Sequence, residues 1–214
     1  MTRILSRRSF LKDTAVLSGT VLVPEAGGPA SAAPVAGGTA AGAQRPPMAS
    51  AAAAAAEMSV PLDLLVNGEL RTLRLPPQTT LAEALRGPLA LTVTKVACDR
   101  GACSACTVWL DGQPVCSCMT LALDAQGHAV TTIEGLAPAG DALHPVQQAF
   151  IEHDGMQCGF CTPGMVMSCA ALHRRDPHAG DAEVRQAISG HLCRCGSYPH
   201  VLAAMASLAA SGQR

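Results

Sequence analysis

The stretch Cys98-Asp99-Arg100-Gly101-Ala102-Cys103-Ser104-Ala105-Cys106 places three cysteines in one short segment, and a fourth, Cys118, comes after eleven intervening residues. A second set of four reads C-x2-C, thirty-one residues and then C-x-C, and consists of Cys158, Cys161, Cys193 and Cys195. Sets of four thiolates are what tetrahedral iron-sulfur and zinc centres require. The two sets therefore predict two metal centres, one within residues 98–118 and the other within residues 158–195.

The spacing within each set bears on which metal is bound. C-x4-C-x2-C with a later fourth cysteine is the plant-type spacing of a 2Fe-2S cluster. Two structural zinc sites are the alternative from a different functional class, because four thiolates also hold zinc. Zinc sites favour paired C-x2-C knuckles, which C-x4-C-x2-C and C-x-C do not provide. Cys116 lies two residues before Cys118, and counting alone leaves open which of them is the fourth ligand.

The N-terminus carries an export signal. A twin arginine in Ser6-Arg7-Arg8-Ser9-Phe10-Leu11-Lys12 precedes a modest apolar stretch, 14–23, and the small-residue cleavage signal Ala30-Ser31-Ala32. This pattern predicts a Tat signal peptide over residues 1–32 and a periplasmic protein that depends on the Tat export machinery. The apolar stretch is too short for a membrane span, which needs about twenty residues. SRRSFLK resembles Tat leaders, which implies export after folding, so we expect thiolates that bind metal and not a disulfide framework.

Patterning divides the rest of the chain into a linker and two domains, and predicts the α+β class. Residues 33–58 are Ala, Gly, Pro and Ser with almost no periodicity, which is typical of a flexible linker. Strand signals dominate a first domain, 59–137, and helical signals a second, 138–214. The predicted strands are 60–66, 70–75, 107–110, a short one at Val115 and 130–133, with hairpin turns at Asn67-Gly68 and Asp111-Gly112. The predicted helices are 80–86, about 144–154, 163–174, 181–189 and 198–210.

Local signals support these boundaries. Thr80 and Asp181 suit N-caps, and Pro163 suits a first helical turn. Gly101 supplies the positive φ that a loop around a cluster needs. His144 is expected at an exposed or capping position.

Composition excludes several classes of function. The formal net charge of -1 gives no reason to expect a nucleic acid or an anionic membrane as partner. The chain has three Phe, one Trp and one Tyr, so its core is filled by smaller side chains and buries less area per residue. We find no HExxH spacing, hydrolase signature or phosphate-cradling loop. We therefore expect no catalytic centre on this chain.

Two strings carry a family resemblance that covers about residues 61–209. The string CDRGACSACTVWLDG and the strand-strand-helix order are similar to the plant-type ferredoxin β-grasp domain of molybdenum hydroxylases. MQCGFCTPGMVMS and SGHLCRCGSY resemble the four-helix 2Fe-2S domain in iron-sulfur subunits of the xanthine oxidase family. Spacing in that family favours Cys118 over Cys116 as the fourth ligand. The family usually has glycine where Ala97 and Ser104 stand, and a residue other than glycine at positive φ costs about 1 kcal/mol.

The resemblance implies a function in electron transfer. In this family, electrons pass from a molybdopterin cofactor of the cytosine dinucleotide type, in a large subunit, through two 2Fe-2S clusters to FAD in a medium subunit or to cytochrome c. By the same resemblance, Gln157 and Cys195 contact the pterin. The chain is most similar to the small subunit of periplasmic aldehyde oxidoreductase. Small subunits of isoquinoline- or nicotinate-oxidising enzymes are the alternative, and their substrates cannot be read from this chain.

Overall fold

The structure, a computed structural model, describes residues 58–137 and 142–211. The predicted signal peptide, 1–32, and all of the predicted linker except Met58 lie outside the described residues. The described residues belong to one compact unit. No helix within them has both the length and the hydropathy of a membrane-spanning segment.

Residues 58–137 form one sheet with a short helix. Its five strands follow the predicted order and are β1 (Val60–Val66), β2 (Glu69–Leu75), β3 (Thr107–Leu110), β4 (Gln113–Cys116) and β5 (Ala129–Thr131). Both hairpins are confirmed: Asn67 and Gly68 have φ of 52° and 82°, and Asp111 and Gly112 have 49° and 76°. Positive φ at both central residues fits the twist of the flanking strands. The strand order is β2-β1-β5-β3-β4, with β1 and β5 parallel.

The helix of this sheet, α1 (Leu81–Arg86), begins as predicted. The Thr80 side chain accepts a hydrogen bond from the Glu83 N–H, and the Glu83 carboxylate accepts one from the Thr80 N–H. This reciprocal capping box satisfies two free N–H groups of the first turn. Leu81 and Leu85 on α1 are fully buried, in the same apolar cluster as Leu64 of β1.

The last strand is shorter than predicted. We expected it to reach Ile133, but β5 ends at Thr131 and a 3-10 turn follows over Ile133–Gly135. The cause is a side-chain interaction. Asn67 accepts a hydrogen bond from the Thr132 N–H and donates one to the Thr132 hydroxyl, which draws the chain out of the sheet.

Residues 142–211 contain four helices, each within two residues of its predicted bounds: α2 (Pro145–Glu152), α3 (Thr162–Arg175), α4 (Asp181–Ile188) and α5 (Tyr198–Ser211). Pro163 lies in a first turn, as predicted, and His144 caps α2. The prediction for Asp181 was wrong, because Gly180 is the N-cap and Asp181 is the first helical residue. Its carboxylate instead accepts a hydrogen bond from Arg185, one turn on, at 2.6 Å.

Trp109 on β3 joins the sheet to the helices. Its indole N–H donates to the Met167 carbonyl of α3 at 2.8 Å, and its ring belongs to the apolar core of the helical half. The Arg174 guanidinium lies 4.6 Å from the ring centroid and donates to the Gly112 carbonyl. A cation over an indole face is favourable. Arg174 of α3 therefore contacts the β3–β4 hairpin twice, at the Trp109 ring and at the Gly112 carbonyl.

Trp109 can be tested by two substitutions of different size. Trp109→Ala should lower the free energy of unfolding by about 3–5 kcal/mol, because it empties a buried site between sheet and helices. Trp109→Phe keeps a ring beneath Arg174 but removes the N–H, so it should cost about 0.5–1.5 kcal/mol. Urea unfolding of the full chain, followed by circular dichroism, measures both. Equal losses for the two variants would contradict the packing role of the ring.

Candidate metal centres

The first cysteine set lies on a loop and on the chain segment that returns to it. Cys98, Cys103 and Cys106 precede β3, and Cys118 lies in a 3-10 turn directly after β4. The Ser117 hydroxyl donates to the Cys106 carbonyl at 2.7 Å, which ties the returning segment to the loop.

The backbone of this loop is tightly turned. Gly101 has φ 72°, as predicted, and Ser104 adopts φ 55° without being glycine. Asp99, which the sequence did not single out, has φ 51°. Ala97 does not have positive φ, so the expected strain is absent at that position and present at Ser104. Positive φ at these residues turns backbone amides toward the cysteine sulfurs. The Ala102 N–H donates to the Cys98 sulfur at 3.2 Å.

The structure brings these four thiols together. A hydrogen bond from the Arg100 backbone, and then one from the Cys103 thiol, lower the pKa of Cys98 to about 7. Burial first, and then the thiols of Cys106 and Cys98, raise the pKa of Cys118 to about 11 against a hydrogen bond from the Gly101 backbone. These interactions place each of the four thiols near at least one other thiol of the set.

The alternative fourth ligand lies nearby. Cys116 is the last residue of β4, is half-buried and packs against the apolar cluster that contains Cys106 and Cys118. Cys118 is only 5 % exposed. Both sulfurs are therefore close to the loop, and the choice between them stays a prediction.

The second set lies where two helices begin. Cys161 is the N-cap of α3, and Cys193 and Cys195 come shortly before α5, as predicted. Cys158 is exposed on the preceding loop. Burial raises the pKa of Cys161 to about 12, and the Cys193 thiol adds to this effect. The helix N-terminus alone therefore does not ionise this buried thiol.

The other thiols of this set also interact. Burial opposes ionisation of Cys193, but hydrogen bonds from the side chain and backbone of Ser197 lower its pKa to about 7. The Cys158 backbone lowers the pKa of Cys195, while the Cys158 thiol and burial raise it, and the net direction is upward. Cys161 thus interacts most with Cys193, and Cys195 with Cys158, while weaker effects link Cys161 to Cys158 and Cys195 to Cys193.

The chemistry of both donor sets fits a two-iron cluster. In the described residues, no group of three or more His, Cys, Asp or Glu side chains is arranged to hold a metal ion. A 2Fe-2S cluster takes its four thiolates as two per iron, so its ligands are not gathered around one point. Four neighbouring thiols resist joint ionisation on their own, and a bound cationic centre removes that cost because coordinated thiols are deprotonated.

Two residues around the second set were not singled out by the sequence. The Ser197 hydroxyl lies 3.2 Å from the Cys193 sulfur, and the Tyr198 hydroxyl accepts from the Cys193 N–H at 2.8 Å. Hydrogen bonds to and around a ligand sulfur influence the potential of a cluster. The signal was available, since Ser197 and Tyr198 follow the C-x-C pair after a single glycine in CRCGSY.

The predicted pterin-contacting residues are accessible. Gln157 is exposed and Cys195 is half-exposed. Three large apolar side chains near them in the sequence are also exposed: Met156 at 45 %, Phe160 at 46 % and Leu192 at 63 %.

Comparison with known proteins identifies both halves. Residues 64–131 match the 2Fe-2S iron-sulfur cluster binding domain family, and residues 132–206 match the 2Fe-2S binding domain family that follows it. The aldehyde oxidoreductase iron-sulfur-binding subunit PaoA of Escherichia coli (strain K12) is 37% identical over 94% of this chain and 86% of that protein. The chain belongs to the iron-sulfur subunits of the xanthine oxidase family.

Other relatives of this iron-sulfur subunit act in different enzymes. The nicotine 6-hydroxylase small subunit of Paenarthrobacter nicotinovorans is 43% identical over 72% of this chain and 91% of that protein. Among solved structures, quinoline 2-oxidoreductase from Pseudomonas putida 86 superposes with a TM-score of 0.69, at 37% identity, over 73% of this chain and 98% of the matched chain. The family and its two cluster-binding domains are thus shown, while the substrate differs among relatives.

The choice between Cys116 and Cys118 can be tested directly in the iron-sulfur subunit. Cys118→Ser should abolish the EPR signal of one cluster, because a ligand on a buried return segment is lost. Cys116→Ser, two residues away, should retain both signals. EPR spectra of the reduced variants, with iron content, measure the outcome, and the reverse result would make Cys116 the ligand.

Proposed function

We propose that this chain is the electron-transfer subunit of a periplasmic molybdenum-containing aldehyde oxidoreductase. It would carry electrons from the molybdopterin centre of a large subunit to a flavin or cytochrome acceptor. The main support is the presence of two four-thiol sets on adjoining domains of one chain. We assign residues 59–137 to a plant-type ferredoxin β-grasp domain and 138–214 to a helical 2Fe-2S domain.

The residues of the chain hold and tune the cofactors. When bound, each 2Fe-2S cluster accepts and releases one electron at a time. Cys98, Cys103, Cys106 and Cys118 would hold one cluster, and Cys158, Cys161, Cys193 and Cys195 the other. The inward amide of Ala102 and the hydroxyl of Ser197 each lie next to a ligand sulfur, where they favour the added negative charge.

The second set is suited to receive electrons from a partner. Cys158 is exposed, and the exposed Gln157 and half-exposed Cys195 belong to the same region. The apolar side chains of Met156, Phe160 and Leu192 offer area that a large subunit would cover. A molybdopterin of the cytosine dinucleotide type would belong to that subunit, and FAD to a medium subunit.

The second candidate is the small subunit of an isoquinoline- or nicotinate-type hydroxylase that passes electrons to cytochrome c. The structural similarity to quinoline 2-oxidoreductase supports it. The difference between the two candidates lies in the partner subunits, since the pocket that selects the substrate is not on this chain. A structural zinc protein is a remote alternative.

Purification with partner subunits tests the electron-transfer role. We expect an aldehyde to reduce both clusters of the complex under anaerobic conditions. Cys195→Ser should remove the EPR signal of the helical-domain cluster, because one of its four ligands is lost, and so impair reduction of the ferredoxin-like cluster, which stays intact. Arg194→Gln is the matched control, because Arg194 is exposed and lies between the two cysteines. Rapid reduction by an N-heterocycle and none by aldehydes would favour the second candidate, and no substrate-driven reduction of either cluster would contradict both.

Export tests the periplasmic location. Replacing Arg7 and Arg8 together by Lys should retain the chain and its partners in the cytoplasm, because the twin arginine is the part of the leader that the Tat machinery reads. Replacing Arg71 and Arg74 by Lys is the control, since both lie on an exposed strand far from the leader in the sequence. Fractionation and immunoblotting measure the location, and unchanged export of the leader variant would refute the Tat assignment.

A further inference from the structure

The hydroxyl of Ser197 is hydrogen-bonded to a ligand sulfur of the second cysteine set. Its oxygen lies 3.2 Å from the Cys193 sulfur, and either atom could be the donor while Cys193 is a thiol. A cysteine that coordinates metal is a thiolate and has no proton to donate. When the cluster is bound, the Ser197 hydroxyl is therefore the donor and the Cys193 sulfur is the acceptor.

The first turn of α5 does not need this hydroxyl. Ser197 occupies the N-cap position, because its carbonyl accepts from the Val201 N–H at 3.1 Å. An N-cap hydroxyl usually accepts from the N–H of the second or third helical residue. The second is Pro199, which has no N–H, and the third is His200, whose N–H donates to the Ser197 carbonyl at 3.1 Å. The hydroxyl is therefore available to the Cys193 sulfur.

Neighbouring groups hold Ser197 and Cys193 in place. Ser197 is only 6 % exposed, so water does not compete freely for its hydroxyl. The Tyr198 hydroxyl accepts from the Cys193 N–H at 2.8 Å and donates to the His191 carbonyl at 2.9 Å. One side chain thus fixes the backbone on both sides of Leu192, and this keeps the Cys193 sulfur beside Ser197.

The first cysteine set has no equivalent side-chain donor. Three hydroxyls close to it donate to backbone carbonyls: Thr107 to Ser104, Ser117 to Cys106 and Thr120 to Cys116. Within residues 92–120, no hydroxyl is hydrogen-bonded to a cysteine sulfur. The sulfurs of this set accept from backbone amides instead, as the Cys98 sulfur does from Ala102. A change of side chain can therefore remove a donor from the second set, whereas the backbone donors of the first set remain.

We propose that the Ser197 hydroxyl raises the midpoint potential of the helical-domain cluster and so makes that cluster easier to reduce. This inference rests on the proposed function, in which one electron arrives from the molybdopterin centre of the large subunit. A donor to a ligand sulfur favours the reduced state, because that state carries more negative charge. The Ser197 proton stays on its oxygen, and no covalent bond forms or breaks. Ser197 is a positioning residue that acts through Cys193.

The hydroxyl also changes the potential difference between the two clusters. Because only the second set has such a donor, Ser197 raises one potential and leaves the other as it is. The driving force for electron uptake from the large subunit increases, and the driving force for transfer to the ferredoxin-like cluster decreases by the same amount.

Substitutions at Ser197 separate the hydroxyl from the rest of the side chain. Ser197→Ala removes the donor, and Ser197→Thr keeps it. Ser207→Ala is the matched control, because the Ser207 hydroxyl lies on the same helix and donates to the Ala204 carbonyl. The full chain with both clusters is titrated anaerobically with dithionite, and EPR measures the midpoint potential of each cluster. The signal that is lost in Cys195→Ser identifies the helical-domain cluster.

In Ser197→Ala, we expect the equilibrium constant for reduction of the helical-domain cluster to fall about tenfold, the size expected for loss of one hydrogen bond to a charged group. For one electron, this is a downward shift of about 59 mV. Ser197→Thr and Ser207→Ala should keep the wild-type potential. The ferredoxin-like cluster should keep its own potential in every variant.

A second variant covers the case in which Ser197→Ala does not retain its cluster. Ser197→Gly removes the same hydroxyl, and glycine is well tolerated at an N-cap. An unchanged potential in a loaded variant that lacks the hydroxyl overturns the proposal, and so does an equal shift in Ser207→Ala. Loss of the cluster from both hydroxyl-free variants also overturns it, since the hydroxyl would then be required for assembly. Wild-type protein without iron-sulfur signals would overturn the proposed function itself.

Discussion

The close approach of two loops is the constraint on which the rest of this structure depends. Ser104 holds positive φ and presses its carbonyl against Gly164, while Leu192 donates to Cys103 next to it. A residue with a Cβ at position 164, in the first turn of α3, would push the Ser104 loop away from that helix and so separate the two sets of thiols. Trp109, which donates to Met167, holds sheet and helices together on another part of the same interface. The fold therefore keeps the two cysteine sets next to each other, as electron transfer between them would require.

The pKa values of the cysteine thiols explain why each set needs a bound positive centre to be fully ionised. Burial and neighbouring thiols raise the pKa of Cys161 to about 12 and that of Cys118 to about 11. Hydrogen bonds lower the pKa of Cys98 and Cys193 to about 7, the former chiefly from the Arg100 backbone and the latter, against burial, from Ser197. Each set contains thiols of both kinds, so neither is uniformly ionised without a positive centre. Since the core has few aromatic side chains, coordination also contributes to stability.

Much of this arrangement could be predicted because its signals are local. Asn67-Gly68 predicts a hairpin, and Thr80 predicts the start of a helix. The cysteine spacing predicts two cluster-binding domains, which the family comparison shows. What could not be predicted depends on contacts between distant segments. Asn67 ends β5 early through Thr132, and Leu192 meets Cys103 across the interface. Gly180 and not Asp181 is the N-cap of α4, and the Asp181 carboxylate accepts a hydrogen bond from Arg185; the sequence alone does not reveal which of these two interactions the carboxylate makes.

We propose that this chain carries two iron-sulfur clusters and not two zinc ions. The most direct measurement is iron, sulfide and zinc content together with EPR on the reduced, anaerobically purified protein. We expect about four irons and four sulfides per chain, from two 2Fe-2S clusters that are each held by four cysteines, and two distinguishable spin-half signals. Stoichiometric zinc with no EPR signal would contradict it and make both centres structural.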